Sequence, residues 1–416
     1  FRFDVMSSRN CGFSSGRALG HTVQRGQVDA ETRKMMELLI AATVFMAQEH
    51  ADRTWDDVLG TEITEDWQGE EHRQYDFWTG LGEGNWRPRA ENSLFHVEEG
   101  RRMRHYVFPA LDGKAIIEIA EPRTIEPDVA GGRGFSIRYY DESRERWVMA
   151  QHWPNPNFDG VAFLDQLTGE EHHGRIAVYS ADMRQQTPEG RPQIRRYQFS
   201  DIRDDGFRWD GANTADGGAS WSTWMVVDFH RLGDMPDLPP VTENWPGYSQ
   251  GLLCTSDPHG ALDGLVGQWA GEVTAADGST EPASFTAGHM IDGCAVAGVI
   301  ERPESNYRGL LAWSYSPIFD RWVAFYLNNQ PGVPHLYFAA TEAGEGASFY
   351  NVADARIQDE TTAYVSGIGG SEEEAFARTV WERFDEMTLI WRVESRQNVD
   401  AEWSPYLTYR FTRRTD

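Results

Sequence analysis

An all-β chain folded as two consecutive antiparallel β-barrels, behind a short and partly helical N-terminal segment, is what this sequence predicts. Three observations carry that expectation. The first is a duplication: 196–231 aligns with 378–413 without a gap at a constant offset of 182, matching Trp209 with Trp391, Trp221 with Trp403, Phe229 with Phe411 and Arg231 with Arg413. The second is rhythm. From Trp86 onward, runs rich in aromatic and β-branched residues recur about every 8–12 residues, which signals a sandwich or barrel rather than βαβ units. The third is number: about nine to eleven such runs per unit with no central helix favour closure, because a closed sheet has no exposed edge.

Each copy reads as a β-meander. Phe199/Trp381 and Trp209/Trp391 sit in short runs suited to half-buried pleated surfaces. Between Trp209 and Trp221 lies Asn213-Thr214-Ala215-Asp216-Gly217-Gly218, where the Asp-Gly step signals a hairpin because Gly accepts positive φ. The second copy has Asn398-Val399-Asp400 there, so a different turn is expected. Upstream, Gly84-Asn85-Trp86 matches Gly267-Gln268-Trp269 at an offset of 183, Asp112-Gly113 matches Asp292-Gly293, and Arg146-Trp147 matches Arg321-Trp322. The drift of the offset between 175 and 183 is what loops of unequal length between retained strands produce.

Taken in order, residues 1–51 are expected to be a disordered or targeting segment. Its apolar run from Met35 to Ala47 is too short to span a bilayer and resembles a secretory leader, which implies a periplasmic or secreted protein; a cytoplasmic chain is the alternative. Residues 52–232 form the first barrel, led in by helical turns at 55–60 and 75–80. Residues 233–261 carry Pro236, Pro239, Pro240, Pro246 and Pro258 and read as a semi-rigid linker with little regular structure. Residues 262–416 form the second barrel, with strands expected among others at 283–290, 347–351 and 362–366.

Composition narrows the function. The 65 acidic against 38 basic residues give a net charge of −27, which argues against sequence-independent binding to nucleic acid or to anionic membranes. Cys11, Cys254 and Cys294 are the only cysteines, at spacings that suit neither a zinc site nor a disulfide framework. An isolated strand Cys is expected as a small buried apolar residue; a Cys254–Cys294 bridge is the alternative in an oxidising compartment.

No cofactor or metal is expected. Glu170-Glu171-His172-His173 falls in a predicted hairpin turn, where neighbouring side chains alternate and rarely converge on one ion. Gly131-Gly132-Arg133-Gly134 and Gly367-Ile368-Gly369-Gly370 lack the following helix that would cradle a phosphate. Ser136 and Ser222 lack a nucleophile elbow. Alternation on 146–153 places Trp147, Met149, Gln151 and Trp153 on one face and Val148, Ala150 and His152 on the other; in the second unit Trp322, Ala324, Tyr326 and Asn328 share a face. Turned inward, these faces line either a small-molecule pocket or a filled aromatic core. The candidate ligand-contacting residues are Trp147, Gln151, His152, Trp153, Trp322, Tyr326 and Asn328.

The pattern Gly-x-Trp on a first strand with Arg on a last strand resembles that of lipocalins, in which the Arg stacks over the Trp and closes one barrel end. The fuller run is Asp76-Phe77-Trp78-x-Gly80, Gly-x-Trp, Asp-Gly, Tyr-x-x-x-x-x-Arg-Trp, then Arg-x-x-Phe/Trp, Asp-Gly-Gly-x-x-Trp and Phe-x-Arg. It resembles a bacterial family of lipocalin-like barrels of unknown function over 74–232 and 262–414, although the second unit lacks the Asp-Phe-Trp start and the Asp-Gly-Gly turn. The resemblance implies closure pairs Trp86 with Arg231 and Trp269 with Arg413. It also implies tandem lipocalin-like barrels binding a small, mostly hydrophobic molecule. One alternative is a cofactor-independent enzyme of the hydratase, cyclase or isomerase type, with polar roles for His152, Tyr326 and Gln151. The other is an interaction module with filled barrels.

Overall fold

The computed structural model describes residues 53–62, 69–123, 133–142, 144–153, 165–186, 192–241, 244–245, 254, 257–316, 320–332, 336–340, 342–352, 356–359, 362–364, 377–398 and 400–415. The leader-like run from Met35 to Ala47 and the glycine runs at 131–132 and 367–370 lie outside the described residues.

The first barrel comprises β1 (Gly80–Pro88), β2 (Arg101–Ala110), β3 (Ala115–Pro122), β4 (Gly134–Asp141), β5 (Arg146–His152), β6 (Asp165–His172), β7 (Arg175–Gln186), β8 (Pro192–Arg203), β9 (Gly206–Thr214) and β10 (Ser222–Gly233). Each strand pairs antiparallel with the next, and β10 returns to β1, so the sheet closes. The second repeats the plan with β11 (Gly267–Ala275), β12 (Thr280–Met290), β13 (Ala295–Arg302), β14 (Tyr307–Ser316), β15 (Arg321–Asn328), β16 (Leu336–Ala340) and β17 (Ser348–Val352). It is completed by β20 (Ala377–Phe384), β21 (Thr388–Ser395) and β22 (Ser404–Arg413). Between them β18 (Arg356–Asp359) and β19 (Thr362–Tyr364) form a separate two-stranded ribbon. The strand expected at 362–366 therefore belongs to this ribbon and not to the barrel wall.

Among the described residues helix is confined to short pieces. α1 (Trp55–Leu59) begins where the Thr54 amide donates to Asp57 Oδ2 at 2.8 Å and ends at Gly60 with φ +63°. Asp76–Trp78 makes one 3₁₀ turn into β1, and Asp263–Leu265 does the same before β11. Among the described residues no helix is long and apolar enough to cross a membrane.

Among the described residues three apolar cores result, one inside each barrel and one between them. Inward positions on β3, β4 and β5 are Ile116, Glu118 and Ala120, then Ser136, Arg138 and Tyr140, then Trp147, Met149 and Gln151. Their alternates Ile117, Ile119, Phe135, Ile137, Tyr139, Val148 and Ala150 are buried on the outer face. That face packs on the outer face of the second barrel, including Ala297, Val299, Leu310, Ala312, Val323, Phe325 and Leu327. Trp55, Val58 and Leu59 of α1 and Leu238, Val241 and Trp245 of the linker complete this middle core. The Trp245 indole donates to the Ala297 carbonyl at 2.8 Å. Where described, the linker is irregular apart from one helical turn at Asp257–Gly260, and it is packed rather than a spacer.

Polar contacts around the middle core are reciprocal. Asp112, on the Asp-Gly turn of the first barrel, pairs with Arg308 and accepts from Asn329 Nδ2 at 2.7 Å. Asp292, on the matching turn of the second barrel, accepts from Arg133 Nη1 at 2.6 Å. Both aspartates adopt left-handed backbone, with φ of +60° and +55°. Arg133 and Arg308 each precede a glycine, Gly134 and Gly309, at the same register position of β4 and β14. Cys254 and Cys294 are joined in a disulfide, so the expectation of isolated apolar cysteines is corrected: the chain folds the linker back onto the start of β13.

Candidate functional site

Strand register fixes which residues of the two barrels correspond. Gly82 lies opposite Arg231, and Trp269 lies opposite Arg413. Gly80 and Gly267, with φ of +120° and +130°, mark the same point in each barrel. The offset at the first strand is therefore 187, and the counterpart of Trp269 is Gly82, not Trp86. The expected pair of Trp86 with Arg231 does not form. Arg231 lies beside Gly80 and pairs with Asp234 at 3.3 Å. In the second barrel Arg413 Cζ sits 4.1 Å over the Trp269 ring, and its Nη1 and Nε donate to the Val266 and Glu386 carbonyls at 2.6 Å.

Trp86 instead faces the interior of the first barrel, four residues along β1 from Gly82. Its Nε1 donates to His105 Nε2 at 3.1 Å. An indole N–H only donates, so His105 Nε2 accepts and the proton resides on Nδ1. Nδ1 lies 2.8 Å from Glu118 Oε1. Glu118 Oε2 accepts from Ser136 Oγ at 2.6 Å and from both terminal nitrogens of Arg138 at 3.3 Å. Arg138 Nη1 also donates to Ser136 Oγ at 2.8 Å, and its Cζ stacks 4.1 Å over Trp78. These four polar residues are buried inside the barrel. Burial alone pushes the Glu118 carboxyl up, but the His105 hydrogen bond and the Arg138 charge outweigh it and hold the group below its ordinary range.

The network lies between a plug and a mouth. At the plugged end Tyr75, Phe77 and Trp78 of the lead-in pack edge-on against Phe199 and Phe207. Burial raises the Tyr75 pKa, partly countered by Arg138, so its phenol stays protonated. At the other end Trp86 packs 5.2 Å from Trp153 and 6.2 Å from Trp209, while Trp209 meets Tyr197 at 4.8 Å and Trp224 at 6.0 Å. A register shift in β10 around Trp224 accompanies its contact with Tyr197 and Trp209. Trp86, Trp153, Trp209 and Trp224 keep partial solvent exposure although they line the interior.

The candidate residues separate accordingly. Trp147 faces inward but belongs to the plug, its Nε1 donating to Gln74 Oε1 at 2.8 Å. Gln151 faces inward near the mouth and donates to Tyr197 Oη at 3.0 Å; Arg195 Nη1 reaches the same oxygen at 3.4 Å. Trp153 lies across Gly134, where any side chain would collide with it. His152 points the other way, into the packing outside the barrel, where burial first and His259 second lower its pKa to about 3. Its assignment to the same site as Gln151 is corrected by strand alternation.

In the second barrel Trp322, Tyr326 and Asn328 face inward. Tyr326 bonds Tyr307 through their hydroxyls, and Asn328 Nδ2 donates to Tyr326 Oη at 2.7 Å. Burial raises the pKa of Tyr307, Tyr326 and Tyr409, so these phenols remain neutral. The rest of the interior is filled: Phe285, Trp313, Trp381, Trp391 and Phe411 touch in a continuous aromatic packing. Trp269, Trp313, Trp322, Trp381 and Trp391 are all at most 4% exposed. By register, His105 corresponds to Phe285, Glu118 to Gly298, Ser136 to Leu311 and Arg138 to Trp313.

Among the described residues no group of three or more His, Cys, Asp or Glu is arranged to hold a metal ion. No family model matches the chain, and no curated protein matches it. Among solved structures, the crystal structure of a protein of unknown function from the DUF3598 family of Nostoc punctiforme aligns over 83% of this chain and 100% of its own. The identity is 8% and the TM-score 0.23.

Proposed function

We propose that the chain is a tandem lipocalin-like protein in which only the first barrel is a chamber for a small, mostly hydrophobic molecule, while the second is a filled structural partner. One observation carries this reading: the inward indoles Trp86, Trp153, Trp209 and Trp224 stay partly exposed, whereas those of the second barrel are sealed. An apolar wall with a few convergent polar groups is the usual make-up of a small-molecule site. Here Gln151, Tyr197 and the His105 network supply those groups. The Cys254–Cys294 bridge supports a periplasmic or secreted setting, since such bonds persist where the medium is oxidising.

Titration of the full chain with a panel of fused-ring and lipid-like molecules, followed by indole fluorescence and native mass spectrometry, tests the chamber. Saturable quenching is expected, weakened by Trp209→Ala and unaffected by Trp391→Phe. Equal sensitivity to both substitutions would move the site out of the first barrel.

A further inference from the structure

We propose, resting on the reading of the first barrel as a ligand chamber, that His105 is a general base there, removing a proton from the carbon next to the carbonyl of a mostly hydrophobic ketone. The second barrel shows that this architecture closes with Phe285, Gly298, Leu311 and Trp313 where the first has His105, Glu118, Ser136 and Arg138. Buried ionic groups seldom stabilise better than well-packed apolar ones. Their presence on one side only therefore points to chemistry rather than to folding.

The geometry specifies roles. Glu118, fixed by Ser136 and Arg138, holds the Nδ1 proton of His105 and offsets the charge the ring acquires on protonation; it is a positioning residue. His105 Nε2 keeps its lone pair toward the half-exposed Trp86, and the two satisfy one another at 3.1 Å. Gly84 is the position where a side chain would intrude on this pair: a Cβ there would lie 2.8 Å from Val227 Cγ1, 3.0 Å from His105 Nε2 and 3.1 Å from Trp86 Nε1, so a guest enters by parting the two side chains. A ketone inserted between the two gives each a new partner. Its oxygen accepts from the Trp86 N–H, and its α C–H faces Nε2. The C–H bond breaks, the proton passes to Nε2, and the electron pair moves onto oxygen as an enolate held by the indole N–H. Return of a proton from His105, to the same carbon or to the far end of a conjugated double bond, restores a neutral ketone with no other reactant.

The test is deuterium incorporation into 2-tetralone, followed by proton NMR in D2O, with binding read in parallel by indole fluorescence. The full chain is expected to exchange the α position faster than buffer. His105→Phe should lose about 10²–10⁴-fold. Trp86→Phe, which keeps a ring and lacks the N–H, should lose about 10²–10³-fold. Glu118→Gln should lower kcat with little change in KM and should alter the pD profile, which a purely structural role would not do. Binding without exchange above the His105→Phe level overturns the general base and leaves the chamber standing. Absence of binding by 2-tetralone and by the wider panel overturns both. Should His105→Phe lose its near-UV circular dichroism, an unchanged rate in Trp86→Phe overturns the mechanism by itself.

Discussion

The two barrels share strand number, order and register, yet one is built around a buried ion network and the other around stacked rings. The difference is concerted. Where the first barrel carries His105 and Glu118, the second carries Phe285 and Gly298, and a Cβ on Gly298 would fall 2.4 Å from the Phe285 ring. A bulkier ring is thus matched by a missing side chain across the strand pair. Likewise Trp313 stands where Arg138 does. Closure of a ten-stranded meander leaves the choice of filling open, so two barrels of one register enclose interiors of opposite character.

Several substitutions sharpen or break this contrast. Glu118→Ala leaves Arg138 buried beside an empty acceptor site and should cost about 3–5 kcal/mol. Adding Arg138→Met should recover most of it, measured as a double-mutant cycle in urea. Recovery of nothing would mean the two groups do not act as a pair. In the filled barrel, Trp269→Ala should also cost about 3–5 kcal/mol, as large-to-small core changes do. A loss that large from Trp209→Ala in the first barrel would contradict its open mouth. Reduction of the Cys254–Cys294 bridge, whose partners are 40 residues apart, should lower stability by about 2–4 kcal/mol. Cys254→Ser/Cys294→Ser should show that deficit with or without reductant.

His152 makes stability depend on pH. Its folded pKa of about 3 lies below the ordinary value near 6.5, so only the unfolded chain binds this proton between the two. Its contribution is complete above about pH 6.5 and is lost as pH falls toward 3, at about 1.4 kcal/mol per pH unit. His152→Leu should flatten the urea midpoint between about pH 6 and 4. Smallest is the outer ornament common to both barrels. Arg196 lies 4.6 Å over Trp221 and Arg378 lies 4.5 Å over Trp403; Arg196→Met and Arg378→Met should each cost about 0.5–1 kcal/mol.

Much of this was legible in the chain. The ungapped repeat of 196–231 on 378–413 corresponds to β8–β10 on β20–β22, because β9 and β10 open at Gly206 and Ser222 and β21 and β22 open 182 residues later, at Thr388 and Ser404. The first strand misled for a physical reason. Gly82 and Trp86 are four residues apart and point to the same side of β1, so alternation cannot choose between them as the partner of Trp269. The spacing of Asp76 to Gly80 and of Asp263 to Gly267 would have set the register, since both runs make a 3₁₀ turn and end on a left-handed glycine. Period two puts His152 and Gln151 on opposite faces of β5, so one interior cannot hold both candidates. Which face was inner stayed open because strands between two cores are apolar on both sides. The pairing of His105 with Glu118 depends on a diagonal across β2 and β3, which no local motif encodes.

The reciprocal contacts of Asp112 with Arg308 and of Asp292 with Arg133 give the pair of barrels an approximate twofold relation. A single unit bearing this turn and this arginine would be self-complementary, so two separate copies could dock as a symmetric dimer before any covalent fusion. Fusion then frees the halves to diverge. One copy can fill its interior with rings and the other can carry an ion network there, while the shared seam holds the assembly together.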